Sequence, residues 1–297
     1  MPPEIVEGHL HLWDSARFRY PWMEEPHLGT PKPVYGVEDY VRECEGLDVI
    51  ASVHVQAEVD HAIDPVDETA WLAGLAAARP SDPVPTACMG YAELRADDVS
   101  DVLDRHQEHS IFRGIRQNAW FDPNTSHADI LDFEILDDPD WMRGLQLLSE
   151  RNLAFDLLIF RRQLLRAAEV FSALPDLRVI LDHFALPELT DSGLAEWKKD
   201  VRRFAATVPQ SMFKISGLSF ISNPWTEEQI RPLLHEALEI FGPERCFFSG
   251  NWPVESVAGT YFEFWDALDS MTADLSQPER RGLFSENAAR TYKLELS

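Results

Sequence analysis

Residues 153–184, LAFDLLIFRRQLLRAAEVFSALPDLRVILDHF, contain the pattern that decides the fold. Two short runs, Leu153–Ile159 and Leu177–His183, are almost entirely apolar, and the segment between them, Arg162–Ala173, has the apolar spacing of a helix. Strands with so few polar residues are typical of parallel sheets, because those sheets are buried on both faces. A strand, a helix and a second strand in this order predict a βαβ unit.

The same alternation runs along the rest of the chain. The other runs that we interpret as strands are Glu4–His11, Val49–Ala57, Pro83–Tyr91, Phe112–Asn118, Met212–Leu218 and Arg245–Asn251. The patterns that we interpret as helices are Glu68–Arg79, Asp97–His109, Asp140–Asn152, Gly193–Val208, Thr226–Phe241 and a C-terminal segment from Gln277 to about Tyr292. Eight such units predict an α/β protein with a single (β/α)8 TIM-like barrel domain over residues 1–297, since such a barrel needs about 250 residues. An open doubly wound sheet is the alternative, which periodicity does not separate from the barrel.

The stretch after the first predicted strand has no clear element. Residues 13–36 are rich in proline and aromatic residues (RYPWMEEPHLGTPKP). A loop of that length inside a compact domain usually has a function. We therefore expect it to be an active-site loop or lid.

The charge balance indicates the class of partner. The chain has 26 Lys and Arg against 51 Asp and Glu, a formal charge of −25. Such a surface repels phosphate backbones and anionic lipids, so we expect a small-molecule substrate and neither a nucleic acid nor a membrane. An anionic small substrate is not excluded, because a few arginines inside a pocket can dominate the local field.

Cysteine usage and the first residues indicate the compartment. Cys44, Cys88 and Cys246 are few and widely spaced, which argues against a disulfide framework or a zinc knuckle. The start, MPPEIVEGHL, lacks the pattern of a signal peptide, and no apolar run approaches the roughly 20 residues of a membrane span. We expect a cytoplasmic protein, with a homo-oligomer left open.

His9-Leu10-His11, at the end of the first predicted strand, is the sharpest motif. Residues two apart in a strand point the same way, so both imidazoles share one face. Two imidazoles on one face can bind a divalent metal or share proton transfer. Two polar side chains on an exposed strand end would give the same pattern.

The ends of other predicted strands also carry polar residues. They are His54 and Gln56, Arg113 and Arg116, Asp156, His183, Lys214 and Ser216, and Asn251. Catalytic groups of parallel barrels come from the carboxyl ends of several strands, whereas the barrel interior is filled by aliphatic residues. Packing alone does not explain so many polar strand ends, so we expect them to converge on one mouth.

Several segments together resemble a known family. GHLHLWDSARFRYPWM, SVHVQAE, DETAWL, FRGIRQ, FDLLI, VILDHFALP, KISGL and RCFFSGNWPVES are similar to the amidohydrolase-2 group, and within it to the branch of L-fuconolactonase-, L-rhamnonolactonase- and 2-pyrone-4,6-dicarboxylate lactonase-type enzymes. The resemblance runs from Glu4 to about Tyr292. It implies a distorted (β/α)8 barrel that hydrolyses a cyclic ester, without identifying the ring.

The resemblance also implies roles for individual residues. His9 and His11 match the histidine pair of the first strand, and His183 matches the histidine of the sixth. Arg116 matches a basic residue of the fourth strand that would hold a carboxylate or a hydroxyl. Asn251 stands where most relatives have an aspartate, which is expected to take a proton from the attacking water. An amide has no useful basicity and can only orient water or substrate.

The same departure bears on a cofactor. An amide is a poorer metal ligand than a carboxylate, and the fifth strand has Asp156 where many metal-dependent relatives have a histidine. We therefore expect no cofactor. The alternative is a single divalent metal such as zinc, held by His9, His11 and His183.

The remaining polar strand ends are assigned on parity and chemistry. Gln56, His54 and Trp252 are expected to contact the substrate with Arg116, and Lys214 either does so or extends between helices and sheet. The residues expected outside the pocket are Asp182, which should point away from His183; Asp156, which should orient other groups; Arg113, in a structural ion pair; and Trp22 and Trp120, in packing.

Three functions remain open. The first is a hydrolase that opens a small lactone, with His9, His11, His183 and Asn251 as catalytic residues and His183 as the base. The second is a lactone isomerase or a non-oxidative decarboxylase on the same barrel, neither of which must activate hydrolytic water. The third is a catalytically inactive homologue that binds a small molecule.

Overall fold

Eight parallel strands form one sheet in the computed structural model, which describes residues 2–24, 32–80, 82–125, 127 and 130–296. The strands, in spatial order, are β1 (Ile5–Leu10), β4 (Val49–Val55), β5 (Ala87–Gly90), β6 (Phe112–Arg116), β7 (Ala154–Leu157), β8 (Arg178–Leu181), β9 (Met212–Ile215) and β10 (Cys246–Phe248). Sequential neighbours pair in parallel all along the sheet, so the predicted barrel is confirmed and the open doubly wound order is wrong.

Helices lie between the strands in the predicted alternation. The α-helices are α1 (Val37–Glu43), α2 (Val66–Ala78), α3 (Val99–Gln107), α4 (Pro139–Glu150), α5 (Leu164–Ser172), α6 (Asp191–Thr207), α7 (Leu218–Ile221), α8 (Glu227–Phe241), α9 (Tyr261–Met271), α10 (Gln277–Arg281) and α11 (Asn287–Thr291). Short 3₁₀ turns occupy Pro21–Glu24, Ile135–Asp137, Arg161–Gln163, His183–Ala185, Pro243–Arg245 and Val254–Val257. The predicted C-terminal helix is divided, because the π-helical turn Gly282–Glu286 separates α10 from α11.

The predicted loop over residues 13–36 contains structure of its own. Trp13–Asp14 (β2) pairs antiparallel with Val34–Tyr35 (β3), and Nε1 of Trp13 donates to the carbonyl of Lys32 at 2.7 Å. This two-stranded sheet closes the base of the segment. The central part of the predicted lid, residues 25–31, lies outside the described residues.

The barrel is joined between β1 and β10 by side chains as well as by backbone. The main-chain contacts there are a bridge between Leu10 and Trp252 and a 2.7 Å bond from the His11 amide to the Trp252 carbonyl. Below them the Glu7 carboxylate accepts from the Gly250 amide at 2.8 and 2.9 Å. A Cβ at Gly250 would lie 2.4 Å from that carboxylate, so only glycine allows this approach.

The barrel interior is apolar at one end and polar at the other. Small aliphatic residues from several strands, among them Val6, Ala51, Val53, Ala87 and Ala154, form a buried cluster with α11 and Tyr292. Two positions further along β6 to β9, at the carboxyl ends of these strands, the buried residues are polar: Arg116, Asp156, Asp182 and Lys214. The apolar end therefore serves stability, and the polar end is left for chemistry. Within the described residues, none of the helices has the length and apolar character needed to cross a lipid bilayer.

Candidate active site

A cavity of about 240 Å³ opens at the carboxyl ends of the strands. Four of the predicted site residues line it: His11, Arg116, His183 and Asn251. His9 and Lys214 are fully buried directly beneath the cavity floor. The described lining also includes Trp22, Ala57, Glu58, Asn118, Trp120, His127, Ile130, Leu158, Phe220 and Val254.

Three imidazoles from distant parts of the chain meet here. Nε2 of His9 lies 3.2 Å from Nε2 of His11, and the ring centre of His183 lies 4.8 Å from that of His9. Burial lowers the pKa of His9 and of His11 well below the ordinary value, and nearby cations lower both further. Burial also lowers the pKa of His183 to about 4. All three rings are therefore neutral at pH 7.

The partners of His9 and His11 determine which nitrogens carry protons. Nδ1 of His11 lies 2.7 Å from the Val55 carbonyl, which can only accept, so Nδ1 carries the proton and Nε2 has the lone pair. Nδ1 of His9 lies 3.2 Å from Nζ of Lys214, which as an ammonium can only donate. His9 therefore carries its proton on Nε2 and donates it to His11.

Lys214 lies at the centre of the barrel. Its Nζ is 2.6 Å from Oδ2 of Asp156 and 2.9 Å from Oδ1 of Asp182, and the side chain has no exposed surface. The predicted alternative in which Lys214 extends between helices and sheet is wrong, because β9 turns this side chain inward. Burial raises the pKa of the Asp156 carboxyl, and the Lys214 ammonium limits the rise. The hydroxyl of Tyr292 also donates to Asp156, at 3.0 Å.

Asp182 and His183 share the site, although strand parity predicted that Asp182 points away. The reason is the backbone: φ is 51° at His183 and remains between 49° and 56° through Leu186. This left-handed turn brings the His183 ring back beside the strand face that carries Asp182. Ligand atoms of His9, Asp182 and His183 lie within 4.8 Å of one another, a grouping that could hold a metal ion. The predicted ligand set had His11 in place of Asp182.

His183 is held by the segment that follows β9. Its Nδ1 lies 2.8 Å from the Ser216 hydroxyl. Gly217 has φ of 66°, and a Cβ there would lie 2.7 Å from Cγ of His183. In the segment KISGL, Ser216 thus holds Nδ1 of His183 by a hydrogen bond, and Gly217, which has no side chain, leaves room for the His183 ring. Nε2 is the nitrogen that remains for a ligand in the cavity.

Arg116 is held by an acidic neighbour that the sequence analysis did not identify. Its Nη2 donates to the Gln56 carbonyl at 2.7 Å and lies 3.5 Å from Oε1 of Glu58. Burial alone would raise the pKa of the Glu58 carboxyl. His61, 3.3 Å from this carboxylate, and Arg116 lower the pKa by more, so that it lies below its ordinary value. Nε of Arg116 is buried and has no hydrogen-bond partner among the described residues. Glu58 is the last residue of the quoted segment SVHVQAE, and its position after a strand end was the available signal.

Besides Lys214, three residues predicted to contact the substrate do not line the cavity. Nε2 of His54 lies 3.3 Å from Glu68 of α2, and its Nδ1 accepts from the Leu12 amide at 3.1 Å. The Gln56 side chain bonds to Glu58 and to the Arg116 carbonyl. Trp252 is buried, with its ring centre 5.1 Å from that of Tyr261. All three support the residues around them.

Three other residues have surroundings that differ from those predicted. Trp22 and Trp120, predicted to be packing residues, line the cavity. Arg113 was expected to form an ion pair, but its guanidinium donates to the carbonyls of Ser110 and Phe112. Its half-buried side chain is structural, as predicted, although its partners are backbone atoms.

Asn251 lies across from the histidines, next to an unpredicted carboxyl group. Its Oδ1 is 3.3 Å from Nε2 of His11. The lone pair of that nitrogen already accepts from His9, so the amide oxygen of Asn251 gains no hydrogen bond there, and Nδ2, which has no hydrogen-bond partner among the described residues, is the group available to a ligand. Glu255 lies nearby and accepts from the amide and hydroxyl of Ser219 at 2.9 and 2.7 Å. Burial raises the pKa of Glu255 to about 7, and the bonds from Ser219 and the nearby Asn251 amide limit the rise.

Known proteins resemble this chain along nearly its whole length. The protein y4mH of Sinorhizobium fredii is 32% identical and covers 98% of each chain. An L-fucono-1,5-lactonase of Burkholderia multivorans is 29% identical over 97% of this chain and 96% of its own. A solved amidohydrolase of Burkholderia multivorans with bound HEPES is 28% identical and superposes with a TM-score of 0.83, covering 99% of this chain and 100% of the other.

A second crystal form of that Burkholderia multivorans amidohydrolase contains bound zinc and superposes with a TM-score of 0.81. The model of the amidohydrolase family matches residues 6–294, from the first strand of the barrel to the segment after α11. With so much of the barrel matched, the chain belongs to the amidohydrolase family and is a hydrolase.

Proposed function

We propose that the protein hydrolyses a small lactone, with His183 as the general base. The observation that carries this proposal is a neutral His183, whose Nδ1 is held by Ser216, in a cavity wall that also presents N–H groups of Arg116 and Asn251. The similarity to an L-fucono-1,5-lactonase supports a lactone as the substrate class.

The base is assigned to His183 because the other two histidines are engaged. His9 lies between Lys214 and His11, and the lone pair of His11 faces His9 and Asn251. Nε2 of His183 takes a proton from water while the water oxygen attacks the lactone carbonyl carbon. The resulting tetrahedral intermediate loses the ring oxygen, and the imidazolium returns its proton to that alkoxide. One water is consumed, and one hydroxy acid is formed.

Arg116 and Asn251 are assigned to the carbonyl oxygen. The Nε–H of Arg116 and the side-chain N–H of Asn251, neither of which has a partner among the residues that the structure describes, are buried donors beside the cavity. Donors fixed in a dry site stabilise the developing negative charge without reorganising. This assignment explains how asparagine serves where most relatives have an aspartate: it donates to the substrate and takes no proton.

The residues present do not fit a tightly held divalent metal. In the group His9, Asp182 and His183, the Lys214 ammonium already lies 3.2 Å from His9 and 2.9 Å from Asp182, so a metal there would be placed against a buried cation. Between His9 and His11 the facing nitrogen of His9 carries a proton. We therefore derive no catalytic step through a metal, although a related structure contains zinc.

The test is product analysis by mass on a panel of five- and six-membered lactones. Hydrolysis adds the mass of one water, isomerisation leaves the mass unchanged, and decarboxylation removes carbon dioxide. We expect the addition of water, and we expect the His183→Gln variant to hydrolyse the same lactones at least about a hundredfold more slowly. Carbon dioxide release or an isomer of unchanged mass as the product would overturn the proposal.

A further inference from the structure

The cavity wall around the catalytic residues consists largely of apolar side chains. Trp22, Trp120, Ile130, Leu158 and Phe220 line the cavity, alongside two further polar residues, Asn118 and His127. At the floor, Arg116 lies beside Glu58 and His11 bonds to the Val55 carbonyl, and the donors without a partner among the described residues are the two that we assign to the lactone carbonyl. A substrate hydroxyl that met this wall would lose its bonds to water without gaining others, which is costly.

Phe220 is an exposed aromatic residue at the mouth. Its side chain retains 46% exposure although it lies on α7 beside the cavity, with its ring centre 5.4 Å from that of His183. Together with Trp120 and Ile130 it forms an apolar surface at the cavity, and contiguous apolar surfaces of this kind mark ligand-binding grooves. Its position places an apolar contact immediately next to the proposed base.

A second cavity borders the first. Its volume is about 430 Å³, and it shares Trp120, Ile130 and Phe220 with the catalytic cavity. Its own wall adds Phe160, whose ring stacks on Trp120 with centres 5.5 Å apart. The two cavities thus adjoin at a shared aromatic side, and together they are called the cleft below.

The arginines of this cleft do not present a free charge. In the part of the chain that the structure describes, each arginine that lines the two cavities lies within 4.0 Å of a carboxylate. Arg116 lies 3.5 Å from Glu58, Arg161 2.8 Å from Glu196, and Arg162 3.9 Å from Asp122. A chain of net charge −25 also repels anions at long range.

We propose that the substrate is a neutral lactone with an aromatic or branched alkyl substituent, which lies against Trp120 and Phe220 and extends into the second cavity. This inference rests on the proposed lactone hydrolysis and specifies its substrate class. The lactone ring occupies the polar floor, and the substituent gives the binding energy that a polyhydroxylated ring would not obtain from this wall.

The experiment compares kcat/KM for three δ-lactones: the unsubstituted ring, the ring with a phenyl or branched alkyl group, and a sugar δ-lactone. We expect the substituted ring to exceed both others by at least about tenfold, the gain typical of one additional well-buried apolar group. Phe220→Ala should reduce that ratio, whereas Phe262→Ala, which removes an exposed phenylalanine of α9 outside the cleft, should not. A sugar lactone hydrolysed as well as or better than the substituted ring would overturn the inference.

A binding measurement separates this inference from the proposed reaction. A cyclic ketone with the same phenyl substituent cannot be hydrolysed, and its binding can be followed through the fluorescence of Trp22 and Trp120. We expect saturable binding that Phe220→Ala weakens. Binding of the ketone with no lactone hydrolysed would overturn the reaction and retain the apolar cleft; hydrolysis of lactones with no binding of the ketone would overturn the cleft alone.

Discussion

Nζ of Lys214 lies 3.2 Å from Nδ1 of His9, and both side chains are completely buried. An ammonium has only hydrogens to offer, so this contact makes His9 an acceptor at Nδ1 and a donor at Nε2. Nε2 of His9, the nitrogen that would face a metal placed between His9 and His11, is thereby protonated. One buried lysine thus sets the proton arrangement of the histidine pair above it.

The first prediction concerns metal removal. We expect prolonged dialysis against a strong chelator to leave kcat/KM of the purified protein unchanged, because Lys214 occupies the contacts that a metal would need. Metal content measured on the same samples is the control. A loss of activity that added zinc restores would contradict this prediction.

The second prediction concerns Lys214 itself. Lys214→Met leaves Asp156 and Asp182 buried without their cation, and we expect it to lower the free energy of unfolding by about 3–5 kcal/mol. Urea unfolding measures the change. The triple variant Lys214→Met, Asp156→Asn, Asp182→Asn removes both orphaned charges and should recover most of the loss. An unchanged stability in the single variant would mean that the carboxylates bind protons instead.

The third prediction concerns His183. His183→Gln should lower kcat by about 10²–10⁴-fold with little change in KM, as expected for loss of a general base. Because the pKa of His183 is about 4, kcat/KM of the wild-type protein should be level from pH 6 to 8 and fall as the pH approaches 4. Circular dichroism at each pH checks that the fold is retained. A decline in kcat/KM already centred near pH 7 would point to another base.

The fourth prediction concerns the pair of Arg116 and Glu58. Glu58→Gln removes the carboxylate that offsets the Arg116 guanidinium, 3.5 Å away. The ratio of kcat/KM for a carboxylate-bearing lactone to that for a neutral one should rise by about tenfold, which corresponds to roughly 1.4 kcal/mol. Asp97→Asn removes a fully exposed carboxylate instead and should leave the ratio unchanged. An unchanged ratio in Glu58→Gln would place substrate anions away from Arg116.

The fifth prediction concerns Glu255. Its pKa is raised from 4.5 to about 7, so between these pH values the folded protein holds a proton that the unfolded chain has released. The stability that this group contributes is complete below pH 4.5 and is lost as the pH rises through 7. The Tm of wild type relative to Glu255→Gln should therefore fall between pH 5 and pH 8. A constant Tm difference over that range would refute the raised pKa.

The barrel was predictable because its strands and helices have different apolar periods. The alternation around Leu153–His183 is strong enough that every strand of the sheet lies within a predicted run. Helix α9, which was not among the predicted helices, follows a turn and mixes aromatic with acidic residues. The π-helical turn that divides the C-terminal helix depends on packing against β10 and left no pattern in the sequence.

The meeting of the histidines was also predictable, but their surroundings were not. Alternation along β1 correctly paired His9 with His11, because residues two apart share a face. Parity failed for Asp182 and His183 because non-glycine residues adopt left-handed backbone there, which local sequence does not indicate. Glu58 has φ of 56° as well, and its position after a strand end does not indicate that its carboxylate pairs with Arg116, because Glu58 follows β4 whereas Arg116 lies in β6.

The seam between β1 and β10 has a consequence for when the protein becomes active. His9 and His11 lie on the β1 side of this seam, which is synthesised first, and Asn251 lies on the β10 side, which is synthesised late. The bond from the Gly250 amide to Glu7 joins the two sides. A nascent chain on the ribosome can assemble βαβ units in order, but the proposed oxyanion donor is missing until residue 251 has emerged. Fragments that end before this seam should be inert, so turnover reports that the chain has been made at least through residue 251.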